Sequence, residues 1–315
     1  MNYDITDFYT QEEKTMLSRC MLCPHECGVN RLEGEKGYCQ SDAELNIALI
    51  CNHKGEEPVL SGEKGICNVF FSHCNCQCLF CQNKDISDNR KKCKNNYKTL
   101  KEAADKIEEI LQESENIVGF VSPTHQIPMM KSIIRELHRR NLHPKIVYNT
   151  SGYDKVEEIK GLEGIVDIYL PDFKYANKDL ALRFSKIKNY PQVCLQAVKE
   201  MYRQTGSSIL SDERERALRG LIIRHLILPG HAEESKEVLE NIAFELSFSV
   251  SISLMGQYFP PFEIKDYPEL NRTLTKEEYQ EVAEHFHALG LHNGWLQDIS
   301  SNAEYLPDFE NMGFK

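Results

Sequence analysis

At 315 residues, with 41% hydrophobic and 27% charged side chains, the chain has the ordinary composition of a globular protein and room for one large domain or two modest ones. A net charge of -11 argues against a nucleic-acid backbone as partner, and no run reaches the roughly 18 apolar residues that a membrane span needs. The start, Met1 to Arg19, lacks the basic and apolar regions of a signal peptide, so the expected location is the cytoplasm. In that reducing setting, the twelve cysteines read as metal or redox sites more readily than as disulfides.

Residues 20–67 hold Cys20, Cys23, Cys27, Cys39, Cys51 and Cys67, several glycines and little periodicity. This is the pattern of a small, loop-rich module that needs a staple other than a core. From about residue 66 strands and helices alternate. Ile66–His73 is a β-rich run, and Thr99–Ser114 a helix in which Thr99 and Glu102 form a capping box. Ile117–Val121 is a strand stopped by Ser122-Pro123. Met129–Arg140 is a helix, Lys145–Asn149 a strand, and Ile165–Leu170 a strand stopped by Pro171. Ala176–Lys186 and Cys194–Thr205 are helices, Leu221–Leu228 a strand, Ser235–Leu246 a helix and Ser249–Met255 a strand. Thr275–Leu289 closes the series, capped by Thr275 and Glu278 and ended by Gly290.

Six strands alternating with helices predict a parallel α/β sheet, doubly wound or a partial barrel, with ligands at the C-terminal strand ends. Cys74, Thr124-His125, Asn149-Thr150, Asp172 with Lys174, and His231 follow successive strands.

The most specific motif is Cys74-x3-Cys78-x2-Cys81, with Phe80 before its last cysteine. Zinc prefers four ligands from paired knuckles, whereas dense thiolates in such loops suit iron–sulfur clusters. Three thiolates ligate three irons of a [4Fe-4S] cube and leave the fourth iron open to a substrate-like ligand. A basic run, Arg90-Lys91-Lys92-Cys93-Lys94, follows. It is either a solvated loop or a docking patch for an acidic electron donor.

These residues resemble the radical S-adenosylmethionine (SAM) superfamily, in the branch related to the pyruvate formate-lyase activating enzyme. The resemblance rests on the Cys74–Cys81 signature together with Cys20-Met21-Leu22-Cys23-Pro24, Gly55-Glu56-Glu57-Pro58, Ser122-Pro123-Thr124-His125 and Asn149-Thr150-Ser151-Gly152-Tyr153. It extends through Leu170-Pro171-Asp172-Phe173-Lys174-Tyr175, Arg224 to Gly230, and Leu254 to Pro260. It implies a partial (β/α)6 barrel, with residues 66–315 as the radical SAM core and its C-terminal helical extension, preceded by the cysteine-rich module over 1–65. It further implies a [4Fe-4S] cluster on Cys74, Cys78 and Cys81, and SAM cleaved by one electron to a 5'-deoxyadenosyl radical that abstracts hydrogen. The implied partners are a flavodoxin- or ferredoxin-type electron donor and a glycyl radical enzyme.

Asp172-Phe173-Lys174 is similar to the Asp-x-Lys segment that contacts SAM in the activases, and Lys174 suits the methionine carboxylate. By composition alone it is equally a surface pair at a strand end. The activases' Gly-Gly-Glu after the second strand is replaced here by Ser122-Pro123-Thr124-His125, and an aspartate by Asn149. The resemblance therefore assigns cofactor contacts to Thr124, His125, Asn149, Asp172 and Lys174. Cys20, Cys23, Cys27 and Cys39 are enough for one structural zinc or a second cluster; a structural metal is the favoured reading, and free buried thiols the bland one. His125 and His225 stand out by position only, and Met255 to Tyr258 either line the mouth or pack it. Two rivals stay open: a four-cysteine electron carrier, and a zinc-stapled binding module without catalysis.

Overall fold

The computed structural model describes residues 7–297, 307–309 and 313–314; the remainder of the expected C-terminal extension lies outside them. In chain order, helix α1 (Gln11–Ser18) precedes strand β1 (Ile47–His53), α2 (Pro58–Ser61), β2 (Ile66–Phe71), α3 (Lys84–Ser87) and α4 (Leu100–Leu111). Then come β3 (Ile117–Val121), α5 (Ile127–Arg139), β4 (Lys145–Thr150), α6 (Val156–Lys160), β5 (Ile168–Pro171), α7 (Lys178–Ser185) and α8 (Tyr190–Thr205). β6 (Leu210–Ser211), β7 (Ala217–Leu226), α9 (Ala232–Glu245), β8 (Ser251–Met255), α10 (Lys276–Ala288) and β9 (Gly294–Leu296) complete the sheet and its cover.

The six expected strands are β2, β3, β4, β5, β7 and β8, hydrogen-bonded side by side and all parallel. β1 adds an antiparallel edge on β2 and β9 a parallel edge on β8, so the sheet runs from β1 to β9 without closing. This is the α/β, mostly parallel architecture that the alternation predicts. Among the described residues no helix is long and apolar enough to cross a membrane.

Side chains alternate between the two faces of each strand, and the sheet uses both. Val69, Phe71, Val118, Phe120, Ile146, Tyr148, Leu221 and Ile252 face one cluster, packed with Ala103, Ile107, Ile133, Val198, Val238 and Ile242 of the covering helices. On the other face Ile66, Ile117, Val147, Ile168 and Ile222 form an apolar floor, capped by Leu60 of α2. Two residues further along the same face stand Asn68, Gly119, Asn149 and Arg224, then Asp172 beyond β5. The concave face is thus apolar at its floor and polar toward the C-terminal strand ends. Gly119 is required there: a Cβ would collide with Asn68 Oδ1.

Candidate active site

The chain leaves β2 through His73 and leaves β3 through Ser122, both in the left-handed region at φ 67° and 55°. Non-glycine residues hold that conformation where surrounding structure demands it, often at functional sites. After His73 the cysteine loop lies against the C-terminal end of α7. Gln77 and Leu79 amides donate to the Ser185 and Phe184 carbonyls at 3.0 and 2.8 Å. Asn89 clamps Cys74, accepting from its amide at 3.2 Å and donating to its carbonyl at 2.9 Å.

Each thiol of the loop has its own hydroxyl neighbour or amide. Ser185 donates to Cys78 Sγ at 2.9 Å, Cys81 Sγ meets Ser87 Oγ at 3.2 Å, and the Cys76 amide points at Cys74 Sγ from 3.3 Å. Cys76 Sγ itself is held by Ser151 Oγ at 3.3 Å. A hydrogen bond from the Cys76 thiol, the Cys76 amide and the charge of Lys174 draw Cys74 down to about 7 against the cost of burial. Burial pushes Cys78 up to about 12 and raises Cys81.

Asp172 and Lys174 meet at 2.5 Å (Oδ2 to Nζ) beside this loop. Burial works against the Lys174 ammonium, but Asp172 and the thiols of Cys78 and Cys76 raise its pKa above the ordinary lysine value. Asp172 Oδ1 accepts from Arg224 Nε at 2.9 Å, and Arg224 Nη2 donates to Asn149 Oδ1 at 2.6 Å. Arg224 Nη1 reaches Glu56 Oε2 at 3.4 Å, and Glu56 Oε1 accepts from Asn68 at 2.8 Å. Although burial pushes it up, Arg224 and Lys174 hold the Asp172 carboxyl below its ordinary value. A continuous polar layer therefore runs from the cysteine loop into the concave face. Next to it Glu57 is buried, its carboxyl pushed up by desolvation, with Oε2 lacking a hydrogen-bond partner among the described residues.

Asp172, Lys174 and Asn149 are thus brought together with the cysteine loop. Thr124 is committed elsewhere: its hydroxyl donates to Asp154 Oδ1 at 2.7 Å and contacts Thr150 at 3.1 Å. His125 bonds the Ser72 carbonyl through Nε2 at 3.0 Å, and burial drives its ring down to about 3. His225 sits likewise on the Phe173 carbonyl, lowered to about 4 by burial. His231 lies edge-on to Phe184 and 3.7 Å from Glu269. Tyr258 packs below Phe80 and donates to the Leu270 carbonyl, which makes it packing. Arg224, Glu56 and Glu57 escaped assignment from sequence, although two recurring segments contain them. Their partners lie up to 168 residues away, beyond any spacing rule.

The family model described as the radical SAM superfamily matches residues 68–242. The chain belongs to the radical SAM superfamily. Membership implies SAM cleavage through a [4Fe-4S] cluster, and both are the superfamily's cofactors. An uncharacterized protein of Methanocaldococcus jannaschii, MJ0674, is 33% identical over 287 residues, covering 89% of this chain and 78% of its own. Streptococcus suis SuiB bound to S-adenosylmethionine matches with a TM-score of 0.50 and 11% identity over 74% of this chain. SuiB bound to its precursor peptide SuiA gives 0.49 and 10% over 73%. The chain spans 52% and 48% of those SuiB chains, and the likeness concerns the fold.

Proposed function

We propose that this enzyme is an activase-type radical generator, whose cluster is held by Cys74, Cys78 and Cys81 and whose hydrogen abstraction is directed at a glycyl radical enzyme. The observation that carries the reading is the junction of the three-thiol loop with the partly buried Asp172–Lys174 pair at one mouth. The donor set fits the cluster: a cube places its thiolates on separate irons, so they stand apart. When bound, the cluster and SAM supply one-electron cleavage to a 5'-deoxyadenosyl radical.

The chain's own residues bind and orient. Lys174, kept charged by Asp172, suits the methionine carboxylate, and Arg224 fixes Asp172 and Asn149 in place. The Cys76 amide and the Ser185 and Ser87 hydroxyls direct hydrogen bonds at sulfur, which tunes a cluster's potential. A hollow of about 640 Å³ opens over the loop, lined by Tyr38, Cys78, Lys84, Arg90, Lys91 and Lys186. Its basic rim suits an acidic flavodoxin- or ferredoxin-type donor. The test is anoxic reconstitution, dithionite reduction and addition of SAM, then of a purified glycyl radical enzyme. The expected result is 5'-deoxyadenosine, followed by a glycyl radical signal in electron paramagnetic resonance. Cleavage without that signal on any such partner points to another substrate, and no 5'-deoxyadenosine above a protein-free control overturns the reading.

A further inference from the structure

Four cysteines far from the Cys74–Cys81 loop in sequence converge on one cavity. Cys20, Cys23, Cys27 and Cys39 line a small space of about 10 Å³ together with Arg31 and His125, with Cys27 on its exposed side. All four are free thiols. The backbone is shaped to bring them there. The Gly28 amide donates to the Cys20 carbonyl and the Cys20 amide to the Val29 carbonyl, both at 2.9 Å, which folds the segment back on itself. Glu26 and Gly28 turn in the left-handed region, at φ 45° and 67°. On the returning segment Gly37 lets the chain close on Cys27, since a Cβ there would stand 2.7 Å from Cys27 Sγ. The next amide, Tyr38 N–H, donates to Cys27 Sγ at 3.3 Å, the kind of hydrogen bond that stabilises a ligating sulfur.

Arg31 supplies a second, independent observation. It is 2% exposed, and its guanidinium donates to the Asp42 carbonyl, the His125 carbonyl and the Gln126 side-chain oxygen. Among the described residues none of these acceptors is a carboxylate, so a buried cation lines the thiol cavity with no anion of its own. Burying an unbalanced charge costs several kcal/mol. An anionic metal–thiolate group in the cavity would be its counter-ion.

The spacing bears on the choice of metal: structural zinc sites are typically built from two close ligand pairs, whereas here Cys20 and Cys23 form one CxxC and Cys39 follows Cys27 only after eleven residues.

We propose that Cys20, Cys23, Cys27 and Cys39 ligate a second [4Fe-4S] cluster. Each thiol gives up its proton as its iron–sulfur bond forms, and every iron is capped by protein, so this cluster takes no SAM. It staples residues 20–41 against the catalytic loop. His25, between two of the ligands, donates from Nε2 to the Asn75 carbonyl at 2.8 Å and stacks on Tyr38 with ring centroids 3.8 Å apart.

The test is metal analysis, independent of turnover. Protein reconstituted anoxically with ferrous iron and sulfide should hold about eight irons and eight sulfides per chain. The triple variant Cys74→Ser/Cys78→Ser/Cys81→Ser should keep about four of each. In the reduced wild type, SAM should perturb the paramagnetic signal of one cluster and leave the other unchanged. Should the triple variant aggregate, the wild-type count and the divided SAM response decide. One zinc per chain with about four irons in the wild type overturns the proposal in favour of a zinc staple. About four irons, no zinc and a signal wholly shifted by SAM overturn it in favour of free thiols.

Discussion

Cys76 lies between two of the thiols read as cluster ligands, and the fate of its sulfur decides whether the loop offers three ligands or four. Its side chain is 3% exposed and held by Ser151 Oγ, while its amide points at Cys74 Sγ. A fourth thiolate would occupy the open iron and exclude SAM. Cys76→Ser is therefore expected to keep iron content and SAM cleavage near wild type. Cys74→Ser, Cys78→Ser or Cys81→Ser should each abolish cleavage in the same assay. Loss of the cluster in Cys76→Ser with its retention in Cys74→Ser would show the register to be wrong. Lys174 carries a second test. Removing one charge-assisted contact from a partly buried site costs about 1.5–3 kcal/mol, roughly tenfold or more in affinity. Lys174→Ala should weaken SAM binding by that factor in a titration while iron content holds. Unchanged affinity would reduce Lys174 to a partner of Asp172 alone.

Asp154 joins elements rather than residues. It accepts from Thr124 beyond β3 at 2.7 Å, from Tyr148 in β4 at 2.8 Å and from Thr150 at the end of β4 at 2.6 Å. Burial raises its carboxyl above the ordinary value, despite these three donors. A folded-state pKa above the unfolded one means that the group's contribution is complete below the unfolded pKa. It is lost as pH rises through the folded pKa. Asp154→Asn abolishes that dependence and costs hydrogen bonds, about 1–3 kcal/mol in all. The stability gap between wild type and Asp154→Asn should therefore narrow as pH rises above the ordinary carboxylate range in thermal unfolding. A gap that widens with pH would contradict the sign.

At this scale much was legible in advance. The capping boxes at Thr99 and Thr275 are present, and Ile117–Val121 begins and ends as expected, because propensity, cap and burial agree there. β1 was not legible. It lies within the cysteine-rich stretch, is buried at every position but one, and its partner β2 comes only after the turn through α2. α1 carried its own signal, since Thr10 and Glu13 form a capping box. A helix of eight residues gives periodicity too little length to register.

The whole molecule depends on how the cysteine-rich segment is fastened to the strand ends. Arg31 is the principal fastening, and no sequence rule singles it out, because its partners His125 and Gln126 are 94 and 95 residues away. A second link, Lys155 to Glu26 at 2.6 Å, joins the same segment to the start of α6, but Glu26 is half exposed. The two links should differ in strength. An exposed ion pair contributes about 0–1 kcal/mol, so Lys155→Ala should barely move a denaturation midpoint. Arg31→Met keeps much of the side-chain volume but strands the His125 carbonyl and the Gln126 side-chain oxygen in the interior. Each unpaired buried acceptor costs about 1–3 kcal/mol, so about 2–5 kcal/mol is expected in chemical denaturation. Because Asn75 and Asn89, in and beside the Cys74–Cys81 loop, also bond His25 and Tyr38 of this segment, loosening it should expose the loop as well. Limited proteolysis of Arg31→Met should then cut both within residues 20–46 and within residues 74–96. Cutting confined to the first stretch would mean that the catalytic loop is held by α7 and Asn89 without help from the cysteine-rich segment.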